Sequence, residues 1–364
     1  MTKTYYYSAE DLKVYMERFF RRYGVPEDDA ATMAKVILEA DLRGVDSHGI
    51  SKLYAYYGNR LASGCVDVTT PTSVVRETAT TILLDGGNGL GPVNGCRAMQ
   101  ACIAKAEENG IGLASVRNSN HYGIAGYYAL MALAHNFIGI SLTNSEALVA
   151  PTFGRTRRVG TNPIAVAVPA GKHRPYVLDM ATSIKALGRV LIREAQGEEI
   201  PLGWGIDSNG ELTSNPGEVH QGGALLPLGG TEEMSGYKGY GLALLVEILS
   251  GVLAGAAFGV NVGSPLSTSG PPADVGHFFM ALNVESFRPL NEFERDMDAL
   301  IEQLVHSPRA VGKDRIYIHG EKEFEHIEEC RRNGVPVIGP VVEELTAKGK
   351  ERGVEFDLQP LRIC

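Results

Sequence analysis

Two short polar segments carry the residue types that move protons. Asp46-Ser47-His48-Gly49 and Asn118-Ser119-Asn120-His121-Tyr122-Gly123 each set one histidine among small polar residues and glycine. An imidazole titrates near neutral pH, so either histidine suits general acid–base work. His48 follows a helical pattern that stops at Gly44, where it serves equally well as a cation complementing the helix dipole. His121 lies between the strand Ile111–Val116 and a helix pattern from Gly126, the kind of junction at which α/β proteins bind ligands. Asp179, in Leu178-Asp179-Met180-Ala181-Thr182-Ser183, leaves an apolar strand and is placed either to orient a histidine or to cap a following segment. Lys238, between Gly236 and Gly239, opens a long apolar helix and offers dipole and point charge to a phosphate.

Other chemistries are excluded by pattern. Gly86-Gly87-Asn88-Gly89-Leu90-Gly91 follows a strand and opens a helix, but its glycines run GxGxG, and no acidic residue ends a second strand about 20 residues on, as a dinucleotide fingerprint requires. A tight strand-to-helix connection is the better reading. The nine histidines form no HExxH and no pair with cysteine at ligand spacing, so no metal is expected. The five cysteines show no CxxC, which fits a reducing, cytoplasmic setting. With 34 Lys and Arg against 43 Asp and Glu, the net charge of −9 argues against nucleic-acid or anionic-membrane partners. The start, MTKTYYYSAEDLK, lacks a signal-peptide core, and the apolar stretch from Gly239 to Val260 is interrupted by Glu247 and glycines, so it reads as a buried helix.

The elements that must position these residues alternate. Ser8 caps a helix whose Leu12, Tyr15, Met16, Phe19, Phe20 and Tyr23 recur at helical spacing, and Pro26 opens a second helix that runs to Gly44. Thr80–Leu84 reads as a strand and Pro92–Asn109 as a helix closed by Gly110. Gly126–His135 reads as helix, and Phe137–Thr143, Ile164–Val168 and Tyr176–Leu178 as strands. Segment 185–236 reads as loops with short elements. A helix over 239–257, a strand at His277–Val284, a helix at Asn291–Val305 and a helical stretch after Ile316-Tyr317-Ile318 complete an α/β chain with helical ends.

Taken in order, ADLRGVDSHGI (40–50), VRNSNHYGIAGYYALMA (116–132), VAPTFG (149–154), GTNPIAVAVPAG (160–171), LDMATS (178–183), GGALLPLGG (222–230), YKGYGLALLVEILSG (237–251) and IYIHGEKE (316–323) resemble the malate/L-lactate dehydrogenase family of the non-Rossmann type. Within that family the archaeal-type malate dehydrogenases are the most similar. The resemblance spans nearly the whole chain. It implies an α/β nicotinamide-binding domain with a mixed, non-Rossmann sheet, plus a helical domain built from both chain ends, in a homodimer. The corresponding division is 1–70 and 291–364 for the helical parts and 71–290 for the α/β part, with 116–135 packing against the helical side.

The activity it implies is interconversion of a small 2-hydroxy acid and its 2-oxo acid, malate and oxaloacetate first. The alternatives are lactate, sulfolactate, diketogulonate, ureidoglycolate or a cyclic imino-2-carboxylate. NAD is favoured slightly over NADP, with no metal. By the same resemblance the cofactor runs along Asn120, His121, Tyr122, Gly123 and Ile124, then Asn144 and Ser145, Asp179, Met180, Ala181 and Thr182, Lys238, and His319, Gly320 and Glu321. His48 is favoured as general acid–base, steadied by Ser47 and Asp179, with His121 polarising the substrate oxygen or contacting the nicotinamide; the reverse assignment stays open. Lys52 stands where many members carry the Arg that grips a carboxylate, and Leu187 where members with doubly charged substrates place a second Arg. A dianion is then left to Lys52, Arg43 and Arg189, with Thr161 beside it. A cofactor-binding protein without catalysis is disfavoured, because both histidines, Asp179 and Lys238 are present.

Overall fold

The computed structural model describes residues 3–364. In chain order it runs β1 (Thr4–Tyr7), α1 (Ala9–Arg22), α2 (Glu27–Leu42), α3 (Asn59–Ala62), β2 (Ser73–Glu77), β3 (Thr81–Asp85), α4 (Gly91–Asn109), β4 (Ile111–Ser119), α5 (Gly126–Leu133) and β5 (Phe137–Thr143). It continues with β6 (Ile164–Val168), β7 (Tyr176–Met180), α6 (Leu187–Gln196), β8 (Gly205–Ile206), α7 (Pro216–His220), β9 (Ala224–Leu225), α8 (Gly236–Glu247), β10 (Val275–Asn283), α9 (Leu290–Val305), α10 (Glu321–Asn333), β11 (Val335–Ile338), α11 (Gly339–Arg352) and β12 (Arg362–Ile363).

The central sheet has seven strands in the order β2-β3-β4-β10-β5-β6-β7. Only β3 and β4 are parallel, joined by the crossover helix α4, and every other neighbouring pair is antiparallel. The sheet is therefore mixed and lacks the doubly wound parallel order of a Rossmann fold. β10 inserts between β4 and β5, so a strand from late in the chain fills the centre of the sheet. Its Phe279, fully buried, packs edge-on against Tyr128 at 5.5 Å, and Tyr122 stacks on Tyr128 at 4.7 Å. This aromatic block anchors the segment that carries His121.

A second sheet joins the chain ends. β1 lies between β11 and β12, antiparallel to both, with Tyr5 opposite Val337 on one side and Ile363 on the other. Ser8 caps α1 by accepting from Asp11 N–H at 3.4 Å, and the apolar face of α1 meets Val335, Val337, Leu345 and Val354 in one core. Neither β1 nor β2 is anticipated by the pattern read from the sequence. The partners of β1 lie more than 300 positions away, and β2 is an exposed edge strand without apolar alternation. Segment 185–236 holds a ten-residue helix, α6, that buries only Val190, which explains its loop-like reading. α8 begins at Gly236 and continues through π turns to Val252 rather than 257. Among the described residues no helix is long and apolar enough to cross a membrane.

Candidate functional site

His48 is aimed by a turn that α2 itself organises. α2 ends at Leu42, Gly44 takes a left-handed φ of 72°, and the chain folds back so that the buried Asp41 carboxylate accepts from Ile50 N–H at 2.8 Å. Gly49 packs directly on that carboxylate; a Cβ there would lie 1.8 Å from Asp41 Oδ1. Ser47 Oγ sits 2.9 Å from His48 Nδ1.

His121 is held from the other side by the glycine loop before α4. A Cβ on Gly91 would stand 2.2 Å from the Asn120 carbonyl and 2.4 Å from that of His121, and Asn120 Nδ2 donates to Gly89 O at 2.8 Å. The loop thus supports the exit of β4, as a tight connection does. Gly123 N–H donates to His121 Nδ1 at 3.3 Å, and Tyr57 Oη lies 3.3 Å from the same nitrogen. The neutral ring therefore carries its proton on Nε2.

The two imidazoles stack, with centroids 5.4 Å apart and planes 20° from parallel. Both are half-buried, with an edge open, but the protein packed around them disfavours the charged form. Enclosure, helped by the positive charge of Lys52, pushes His48 down to about 4. His121 is pushed well below its ordinary value by enclosure first, then by His48, His277 and Arg60. Both rings are neutral at neutral pH: His121 is a hydrogen-bond donor and His48 a proton acceptor.

A cavity of about 540 Å³ opens beside His48, within the usual size of a small-molecule site. Its walls include Arg43, Ser47, His48, Gly123, Ile124, Gly126, Thr161, Asp179, Met180, Ala181, His319 and Gly320, with Tyr317, Lys322 and Glu323 from the same C-terminal segment. Gly123, Ala125, Gly126, Ala181, Ala186 and Gly320 keep part of this wall close to backbone, which leaves space for a flat ring system there. That segment is docked where Val177 N–H donates to His319 O at 3.0 Å and Gly320, at φ 95°, presses on Val177.

Asp179 faces this cavity, and enclosure raises its carboxyl pKa, opposed by Gly126 N–H and by Arg43. Its Oδ2 accepts from Gly126 N–H at 2.7 Å, at the first turn of α5. It bonds neither histidine and caps a helix instead.

Several residues expected to hold cofactor or substrate do not line this cavity. Asn144 is buried and committed to Glu247, to Ala257 O and to Gly276 N–H. Thr182 donates to Thr161 O and Asn162 O, and Tyr122 Oη pairs with Ser141. Ser145 Oγ accepts from Thr161 N–H, and Glu321 is paired with Arg315 and with Ile318 N–H. Lys238 and Arg189 are exposed and line no wall of the cavity. Arg43 lines it, but its Nε is bonded to Glu39 at 2.7 Å. Lys52 is no part of these walls but stands close enough to His48 for its charge to act on that ring, and its Nζ is 5.9 Å from the Tyr56 ring centroid.

Residues that the sequence did not single out complete the surroundings. His277, fully buried in β10, bonds Ser119 Oγ and Thr143 Oγ1 and stacks on Tyr122 at 4.6 Å. Tyr56 meets His121 edge-on at 4.8 Å. Among the described residues no group of three His, Cys, Asp or Glu is placed to hold a metal.

Residues 7–346 match the family model described as malate/L-lactate dehydrogenase. The malate dehydrogenase of Pyrococcus abyssi is 45% identical over 347 residues, covering 95% of this chain and 94% of that protein. The L-sulfolactate dehydrogenase of Methanocaldococcus jannaschii is 36% identical over 340 residues, covering 93% and 94%. The solved structure of malate dehydrogenase from Pyrococcus horikoshii superposes with a TM-score of 0.89 at 43% identity, covering 98% of this chain and 97% of that one. With these matches running almost end to end, and a mixed sheet of the same architecture, the chain belongs to the malate/L-lactate dehydrogenase family.

Proposed function

We propose that this chain interconverts a small 2-hydroxy acid and its 2-oxo acid with a nicotinamide cofactor, and that malate and oxaloacetate are its first pair. The observation that carries the reading is the neutral His48 in the wall of the 540 Å³ cavity with the neutral His121 stacked on it. The relatives named malate and sulfolactate dehydrogenase support an acidic 2-hydroxy acid.

The cofactor, when bound, takes up or supplies the hydride at the substrate's C2. Gly123, Ile124, Asp179, Met180, Ala181, His319 and Gly320 would hold it, and NAD is the form we favour. In the oxidation direction His48, donating Nδ1–H to Ser47 Oγ, has its Nε2 lone pair free to take the hydroxyl proton. His121 donates Nε2–H to the same oxygen and polarises it. Lys52 supplies positive charge to a carboxylate beside the reacting carbon.

The test follows absorbance of the reduced nicotinamide with oxaloacetate, pyruvate and a cyclic imino acid, each with NADH and NADPH. We expect kcat/KM for oxaloacetate to exceed that for the others by about tenfold or more, about 1.4 kcal/mol of selectivity. No turnover of any 2-oxo acid would overturn the proposal.

Our reading also includes the two-part division, supported by the core shared between α1 and residues 330–354, and a homodimer. α8 and its π extension expose Leu242, Leu245, Ile248 and Val252 along one helical stripe, an apolar face that a second copy would cover. Sedimentation should show a dimer that Leu245→Glu weakens; a wild-type monomer at micromolar concentration rules the assembly out.

A further inference from the structure

The helical run after His48 carries Lys52, Tyr56 and Arg60 four residues apart, through a 3₁₀ turn, π turns and α3. This spacing keeps the three on one side of the run. Tyr56 is the member that touches His121, and Lys52 Nζ stands 5.9 Å from the centroid of its ring. Arg60 differs from the other cations considered for the substrate. It is only 3% exposed, its Nε has no hydrogen-bond partner, and no carboxylate of the described residues pairs with it. Asn120 Oδ1, also buried, is likewise unpartnered. Both residues line a small cavity together with Tyr56, Tyr57 and His121, separate from the larger cleft that His48 lines.

A buried guanidinium without a counter-ion is strongly unfavourable, and a bound carboxylate relieves that cost with two parallel hydrogen bonds to its planar fork. The competing cations do not offer this, since Arg43 is tied to Glu39 and Arg189 faces solvent outside the cleft. Resting on the functional reading above, we propose that Arg60 receives the second carboxylate of a dicarboxylic substrate, while Lys52 holds the carboxylate beside the reacting carbon. The site thereby gains a bidentate grip for dianions from a residue that no Arg at 52 or 187 provides. The cavity at Arg60 is small as it stands, and Tyr56, half-buried at its rim, is the side chain that must turn aside to admit the carboxylate.

The test compares the full-length wild type with Arg60→Gln and Arg60→Lys. In thermal unfolding at matched ionic strength, malonate should raise the wild-type midpoint more than acetate does, and Arg60→Gln should lose that difference. In steady state the KM for oxaloacetate should rise about tenfold or more in Arg60→Gln, with kcat and the KM for pyruvate changing by less than about threefold and Arg60→Lys falling between. Equal losses for oxaloacetate and pyruvate, an oxaloacetate KM within about twofold of wild type, or a malonate effect that survives the substitution would overturn the assignment. If the wild type turns over no 2-oxo acid, it is the functional reading that fails, and the malonate comparison still decides the role of Arg60. Should Arg60→Gln fail to fold, Arg60→Lys carries both measurements.

Discussion

Replacing His48 by Ala should lower kcat by about 10²–10⁴ while leaving the fold and the cofactor affinity in place, because positioned proton transfer is worth that much. His48 is half-buried in the cleft wall, and among the described residues its side chain hydrogen-bonds only its neighbour Ser47, so truncation removes no hydrogen bond from another element. His121 stays as a donor, since its Nδ1 is fixed by Gly123 N–H. Residual turnover should therefore come from polarisation alone. The pH profile separates the two roles. Burial and Lys52 lower the His48 pKa to about 4, so its active, neutral form is half-formed there and nearly complete by mildly acidic pH. In the oxidation direction kcat/KM should stay flat from mildly acidic to alkaline pH and fall only as pH drops towards 4. An acid limb centred at the ordinary histidine value, or a His48→Ala enzyme within about tenfold of wild type, would remove His48 from this role.

How much of this was legible depended on where each signal lived. Ser47-His48 and Asn120-His121 stood out because polar, glycine-flanked runs interrupt apolar elements, and the structure brings the two imidazoles to 5.4 Å. The mixed sheet followed from the family resemblance, with which the failed glycine spacing at 86–91 agrees. What escaped was set by contacts distant in sequence. Arg60, in YYGNRLASG, has the composition of a helix surface, yet it is buried beside a cavity that Val66, Leu90 and Gly91 and the segment carrying Asn120 and His121 also line. Asn144 and Thr182 have the polar, loop-like look of ligand contacts; Asn144 also bonds Glu247 and Ala257 O, and Thr182 the carbonyls of Thr161 and Asn162, pairings that no local pattern announces. β1 needs strands from the far end of the chain, and a run of three tyrosines does not name them.

Gly49→Ala should damage both stability and rate, through Asp41. Gly49 has φ −85°, so an alanine backbone is unstrained there and the whole effect comes from contact. The added methyl would stand 1.8 Å from Asp41 Oδ1 and 2.3 Å from its Cγ, and that carboxyl cannot swing away without losing Ile50 N–H in a site only 5% exposed. Overpacking plus a lost buried hydrogen bond amounts to roughly 2–4 kcal/mol of stability. A displacement of about 1 Å at His48 would cost about 10² in kcat. Asp41→Asn serves as the control, because its side-chain oxygen can still accept from Ile50 N–H and its volume is the same.

Burial, opposed by Ile50 N–H, raises the Asp41 carboxyl from 3.8 to about 8, so the folded state keeps a proton that the unfolded chain releases. Between those two values this group makes stability fall as pH rises, and Asp41→Asn should flatten that slope while kcat holds. Combining Gly49→Ala with Asp41→Ser, which frees the space, should return part of the lost kcat and give a large coupling energy. Additive losses in that double variant would mean that Gly49 acts through some contact other than Asp41, and the turn that aims His48 would need another anchor.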